Sequence, residues 1–352
     1  MKIAIDARFY GTGHTGLGRY TTNVLKYLPK YLQGQTLQVL LRDAEYNNFP
    51  TSKNVEKVHC EIPHYSLSEQ LLLPKLLKSL QSDLLYTLHF NTPILSKIPT
   101  IITVHDLIKT HYTSNDTTTR APWLYGIKRF GYNQVIQKSL NHASDIIVPT
   151  NTVKNDILAA FPTVKPERIY PIPEAPDDIF RTQSQSKIDL PEKYVLFVGN
   201  AYPHKNLPVL LGAMTQYRGL TLVIVAKKSP FLSRVLAPYD QTRIMILSDL
   251  SDPDLVAVYQ KASMLVTPSL MEGYGLVGLE ALMVATPVIA SNIAVYREVY
   301  GNQVTYFDPT SVSDLVKKIN LVKPISPLTF DRTWDDVAKE IGGILNARCT
   351  RL

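Results

Sequence analysis

The residues of this chain whose types and spacing best suit chemistry are two glutamates, eight positions apart, flanking a glycine turn: Glu272-Gly-Tyr-Gly-Leu-Val-Gly-Leu-Glu280. An ionised carboxylate only accepts hydrogen bonds, so each glutamate can hold a pair of sugar hydroxyls. At a helical rise of about 1.5 Å per residue they lie at most roughly 12 Å apart, about the span from a sugar ring across a diphosphate to a ribose. Gly273, Tyr274 and Gly275 make the turn, and residues 276–284 carry apolar side chains at helical spacing. The first N–H groups of such a helix are open to an anion, so a phosphate fits there. Taken singly, Glu272 also suits a helix N-terminus through the macrodipole, and Glu280 a solvated helix position.

Three other loops carry candidate groups. Residues 6–20 include Gly11, Gly13, Gly16, Gly18 and Arg19, with a helix predicted to begin near Arg19. Gly11, Gly13 and Gly16 match the spacing of a dinucleotide-binding fingerprint, but five residues separate them from the strand end at which that fingerprint should start. A flexible turn explains them equally well. His105 follows an apolar run at 100–104, where open parallel sheets bind their ligands. Gly199-Asn200-Ala-Tyr-Pro-His-Lys205-Asn-Leu is a strand-to-helix loop in which the Lys205 ammonium can neutralise a diphosphate as a point charge. Asp252-Pro253-Asp254 imitates a metal-binding pair of aspartates, but Ser251 or Asp252 followed by proline reads better as a helix cap.

Short apolar runs at 2–5, 37–41, 83–88, 100–104, 145–148, 169–172, 194–198, 222–225, 244–247, 264–267 and 287–290 predict strands that must hold these loops. Helices are predicted at 67–80, 121–140, 312–319 and 334–345, the first broken or kinked at Pro74. The segment at 121–140 mixes Trp123, Tyr125, Phe130 and Tyr132 with Lys128, Arg129 and Lys138, which suits a membrane interface and a domain-packing helix alike. Alternating strand and helix predicts two doubly wound α/β domains. Four prolines between residues 171 and 191 mark the joint. The expected division is a first domain at 1–175, a linker at 176–192, a second domain at 193–330 and a closing helical segment at 331–352 that packs back on the first domain.

Composition narrows the function classes. With 45% hydrophobic and 19% charged residues, the 352-residue chain can bury ordinary cores. The net charge of +7 is spread over both halves, so no nucleic-acid footprint emerges, while attraction to phosphorylated ligands or anionic lipid stays open. Cys60 and Cys349 are too few for a disulfide framework, which fits a reducing cytoplasm. The N-terminal run reads as a strand rather than a signal peptide, and no stretch reaches the length of a membrane span.

The stretch from Glu272 to Glu280 resembles the E-x7-E motif of the family 4 glycosyltransferases, with Pro268-Ser269 before it and Thr286-Pro-Val-Ile-Ala290 after it also similar to that family. Gly16-Leu-Gly18-Arg19-Tyr20, His105-Asp-Leu and Lys205-Asn-Leu look like its donor-loop, acceptor-domain and phosphate-binding motifs, except that Asn200 stands where the family has arginine. The resemblance implies the GT-B fold, two Rossmann-like domains facing across a cleft, and transfer of mannose or a similar hexose from a nucleoside diphosphate sugar. It further implies retention of configuration and no metal, with the donor as co-substrate and no other cofactor. Glu272, His105 and Lys205 would be catalytic. Gly16, Gly18, Gly199, Asn200, Lys205, Gly273, Tyr274, Gly275, Leu276 and Glu280 would bind the donor. The acceptor would be a glycan or a lipid-linked sugar, and the expected location is the cytoplasm, with the inner face of the cell membrane as an option. The alternatives are a GT-B nucleotide-sugar epimerase, a non-catalytic sugar-nucleotide binder and an NAD oxidoreductase built on the Gly11 loop.

Overall fold

The computed structural model describes residues 1–11, 15–112, 122–184 and 186–352, and the side chains of residues 15 and 122–130 are outside that description. Gly13 and the Trp123, Tyr125, Lys128, Arg129 and Phe130 side chains therefore lie outside the described residues. The chain divides into two compact units: Met1–Leu107, Arg120–Glu174 and Trp334–Leu352 form unit 1, and Ile108–Thr119 with Ala175–Thr333 form unit 2.

Among the described residues, unit 1 holds seven strands: β1 (Lys2–Asp6), β2 (Thr36–Leu41), β3 (Val55–His59), β4 (Leu84–Thr87), β5 (Thr100–Thr103), β6 (Asp145–Val148) and β7 (Ile169–Pro171). They lie in the order β3-β2-β1-β4-β5-β6-β7, every pair parallel. The inner strands are buried apolar runs, as a sheet covered on both faces requires. Unit 2 holds β8 (Tyr194–Val198), β9 (Thr221–Val225), β10 (Ile244–Leu247), β11 (Met264–Thr267), β12 (Val288–Ser291) and β13 (Thr305–Phe307). Their order is β10-β9-β8-β11-β12-β13, again all parallel.

Each sheet reverses its winding once, at β1/β4 in unit 1 and at β8/β11 in unit 2. Loops leaving the carboxyl ends of the two strands at such a point diverge and leave a crevice for a ligand. The Lys205 loop leaves β8 and the Glu272 loop leaves β11, so topology alone brings these distant segments together.

Several local expectations need correction. The helix after β1 runs Thr15–Tyr31, so Gly16 and Gly18 sit in its first turn instead of preceding a helix at Arg19. A buried stripe of Tyr20, Thr21, Val24, Leu25 and Leu28 holds that turn despite the poor helix propensity of glycine. The helix Leu67–Ser79 passes through Pro74 without a break, because Leu73 and Leu77 on either side are fully buried and packing outweighs one lost backbone bond. The helix Pro122–His142 ends in the core, with Ile136 and Leu140 buried and the Tyr132 ring edge-on to Phe90. Among the described residues no helix is long and apolar enough to cross a membrane.

The last helix, Trp334–Thr350, belongs to unit 1 and lies along the helix Thr15–Tyr31. Gly342 allows the close approach: a Cβ there would sit 2.9 Å from Tyr31 Cβ. Lys30 to Asp335 at 2.5 Å, Asn346 to the Tyr31 carbonyl at 3.0 Å and Arg348 to Asp145 at 2.7 Å fix the register.

Candidate active site

Glu272 is the centre of the best-built polar group in unit 2. Its Oε1 accepts from Lys205 Nζ at 2.5 Å, from Ser269 Oγ at 2.7 Å and from the Tyr296 hydroxyl at 3.2 Å. All three of these bonds fall on Oε1. The carboxylate is 11% exposed. Burial pushes its pKa up, but the Lys205 ammonium, the Ser269 hydroxyl and His204 outweigh burial and hold it below its ordinary value. The side chain is therefore an anion at neutral pH.

Local geometry explains how Lys205 reaches it. β8 is followed by Gly199, whose φ of +140° turns the chain sharply, and one turn of tight helix comes next at Pro203–Lys205. Asn206 at φ 53° closes that turn and donates from Nδ2 to the Pro309 carbonyl at 2.8 Å. Leu270 N donates to the His204 carbonyl at 2.7 Å, so the loop after β11 is tied directly to the loop after β8. The expected Asn200 is half-buried in the same loop.

Gly275, at φ 103°, starts the helix Leu276–Met283 with no side-chain cap, and although Gly278 N donates to the Gly275 carbonyl at 3.3 Å, a helix start of this kind suits an anion. Gly273 is buried, and Tyr274 and Leu276 are half-buried. Glu280 is not a solvated helix residue: it is 5% exposed, and the fully buried Tyr259 donates to its Oε2 at 2.8 Å. Burying a carboxyl group is costly unless it is hydrogen-bonded, and the Tyr259 hydroxyl offsets part of that cost.

In unit 1, His105 lies beyond β5 with both ring nitrogens facing acceptors, Nε2 at 2.9 Å from the Leu88 carbonyl and Nδ1 at 3.5 Å from Glu174 Oε1. Burial lowers its pKa, but Glu174, the Leu88 carbonyl and Asp106 together raise it above the ordinary value. Gly18 is buried and Gly16 exposed, with nothing within 4 Å of a Cβ built at Gly16. Gly11 has a local reason to be glycine: its φ is 93°, and a Cβ there would meet the Glu45 carboxylate at 2.7 Å.

Two groups of metal-ligand types have other duties. Asp6, His64 and Glu69 converge within 4.8 Å, but the buried Arg8 guanidinium bonds both carboxylates, at 2.6 and 2.7 Å, so they form an ion-pair network. Asp6 is held down to about 2, burial opposing and Arg8 outweighing it. Ser251 caps the helix Asp252–Gln260 with proline in its first turn, and Asp254 bonds Ser251 and Ser186.

Sequence reasoning singled out Glu272, Lys205 and the glycine turn, named Ser269 only as part of a flanking motif, and did not single out Tyr296, Tyr259 or Glu174. Tyr296 and Tyr300 carried a signal, since they stand one helical turn apart as Gly275 and Gly278 nearly do, a pair of large residues matching a pair of small ones.

Comparison with known proteins gives the family of the chain. Residues 14–178 match the family model Glycosyltransferase Family 4, and residues 178–327 match Glycosyl transferases group 1. The chain belongs to the family 4 glycosyltransferases and has the GT-B fold. It is 28% identical over 250 residues to the O-antigen chain mannosyltransferase RfbU of Salmonella typhimurium, covering 70% of this chain and 66% of that protein. It is 32% identical over 148 residues to the serotype-specific mannosyltransferase WbdA of Escherichia coli, covering 38% of this chain and 18% of that protein. The matched region is thus less than two thirds of either relative. Anabaena HepE, solved in complex with UDP and glucose, superposes with a TM-score of 0.68 over 100% of both chains at 16% identity, which shows the fold alone.

Proposed function

We propose that this chain is a retaining glycosyltransferase that moves a hexose, mannose first among them, from a nucleoside diphosphate sugar to a hydroxyl of a glycan or lipid-linked acceptor, without a metal. The observation that carries the reading is the buried Glu272 carboxylate, neutralised by Lys205 at the winding reversal of unit 2, beside the uncapped start of the Leu276 helix. That is a site for a sugar next to a diphosphate. RfbU, an O-antigen chain mannosyltransferase, and WbdA, a serotype-specific mannosyltransferase, support mannose as the sugar and a glycan as the acceptor.

In the reaction the bond between the sugar carbon and the diphosphate oxygen breaks while the acceptor oxygen bonds to that carbon on the same face. The acceptor proton passes to the departing diphosphate. Charge develops on that diphosphate, where Lys205 and the helix N-terminus stabilise it, so no metal is needed for that charge. Positive charge develops on the sugar ring, where Glu272 acts by position and field while its Oε2 holds a sugar hydroxyl. Glu280 would take the ribose hydroxyls, which favours GDP or UDP over dTDP. For Gly16, Gly18 and His105, in unit 1, the motif resemblance is what supports a role. The reading extends to work in the cytoplasm, at the inner face of the membrane, which cell fractionation tests.

Thermal stabilisation by GDP, UDP, ADP, dTDP and NAD, with and without EDTA, tests the ligand class. A ligand at a hundred times its Kd adds about 2.7 kcal/mol. Stabilisation by one nucleoside diphosphate, unchanged by EDTA, is expected. Stabilisation by NAD alone would overturn the proposal. Glu272→Ala should lower transfer by roughly 10²-fold or more while the fold persists, and unchanged turnover would refute the site.

A further inference from the structure

The helix Ala294–Tyr300 follows β12 and belongs to none of the motifs, yet it presses two tyrosines against the glycine turn. Tyr296 is 0% exposed and Tyr300 1%, and their rings stack at 4.9 Å. The Tyr296 hydroxyl lies 2.6 Å from Thr267 Oγ1, at the end of β11, and 3.2 Å from Glu272 Oε1, with the Ser269 hydroxyl also beside it. A carboxylate can only accept, so Tyr296 donates to Glu272 and Thr267 donates to Tyr296. The Tyr300 hydroxyl donates to the Gly275 carbonyl at 2.5 Å. The fit leaves no spare space: a Cβ at Gly275 would lie 2.6 Å from the Tyr300 hydroxyl and 2.7 Å from the Tyr296 ring, and one at Gly278 would lie 2.4 Å from the Tyr300 ring.

Resting on the donor-site reading above, we propose that Tyr296 is a positioning residue that fixes the Glu272 carboxylate, with Tyr300 fixing the glycine turn that starts the Leu276 helix. The first tyrosine sets where the sugar is held and the second sets where the diphosphate is held. Neither touches the donor. Both hydroxyls stay protonated, because burial pushes their pKa values far up and the nearby Glu272 charge adds to this. Lys205 lies on the solvent side and can turn to a phosphate, whereas Tyr296 is wedged in the core and holds Oε1 throughout. A carboxylate anchored at one oxygen presents the other in a fixed direction, and that pre-organisation speeds transfer rather than donor binding.

The test uses the full chain as wild type, Tyr296→Phe and Tyr300→Phe. The Glu272 side-chain carboxyl is followed by carbon NMR and assigned as the resonance absent from Glu272→Gln. Loss of a donor to the anion should move its titration in Tyr296→Phe upward by roughly half to one pH unit. In Tyr300→Phe it should stay near wild type. With GDP-mannose and release of GDP as the assay, Tyr296→Phe should lower kcat about 10-fold with KM little changed, while Tyr300→Phe should raise KM. The acid limb of the Tyr296→Phe pH profile should shift in the same direction as its NMR titration. An unmoved carboxyl titration in Tyr296→Phe, or an equal shift in both variants, overturns the proposal. A wild type that turns over no donor would count against the transferase reading, and the titration would still decide whether Tyr296 holds Glu272.

Discussion

At the scale of single residues, the charged groups here owe their states to partners rather than to exposure. His105 illustrates the pH consequence. Its pKa is raised above its ordinary 6.5 by Glu174, the Leu88 carbonyl and Asp106 acting against burial. A group raised on folding stabilises fully below its unfolded value, and that contribution is lost as pH rises through the folded value. Stability of the chain should therefore decline as pH rises from the ordinary histidine value of 6.5 through the higher folded value, and Glu174→Gln should reduce that decline. A decline of equal size in the variant would show that another group is responsible. The two glutamates also show what a sequence conceals. Their spacing and the glycines between them were legible, but the pairing of Glu272 with Lys205, 67 positions away, was not, because a strand order joins them and no local spacing encodes it. Nor did the sequence indicate that Glu280 is buried against Tyr259, since a glutamate on a helix reads as solvated until its neighbours are known.

At the scale of elements, eleven of the thirteen strands among the described residues could be read from apolar runs, and the two that could not are both sheet edges. β3, Val-Glu-Lys-Val-His, has no fully buried residue, and β13 is three residues long. Such strands exist because a neighbour offers a ladder, so their own letters say little. Helix contacts were just as opaque, and glycines expose them. Adjacent glycines in the helix Trp334–Thr350 should respond in opposite directions. Gly342→Ala drives a methyl to 2.9 Å from Tyr31 Cβ and should cost about 1–3 kcal/mol, whereas Gly343 is exposed with nothing within 4 Å, so Gly343→Ala should gain about 0.5–1 kcal/mol. Urea denaturation of the two variants reads the difference. Equal effects would mean that the two helices do not pack as closely as described.

At the scale of the whole molecule, two parallel sheets with the same winding carry separate cores, and the reversal point of the second holds the charged group on which the proposed function rests. The doubling was legible from the restart of the strand pattern at Tyr194, because each sheet needs its own set of buried runs. Unit 1 is discontinuous in sequence: its helix Trp334–Thr350 comes after the whole of unit 2. Removing residues 334–352 uncovers the buried face of the helix Thr15–Tyr31, so calorimetry should show the unit 1 transition falling or vanishing while a nucleoside diphosphate still stabilises unit 2. Loss of both transitions together would show that the units do not melt independently. The same connectivity sets an order on the ribosome. Synthesis runs from the N-terminus, and a domain closes when its last segment emerges. Unit 2 can therefore finish folding while the first-made part of the chain still waits for its closing helix. A nascent chain stalled with residues 1–333 outside the exit tunnel should already bind nucleotide, with its first hundred residues still open to protease.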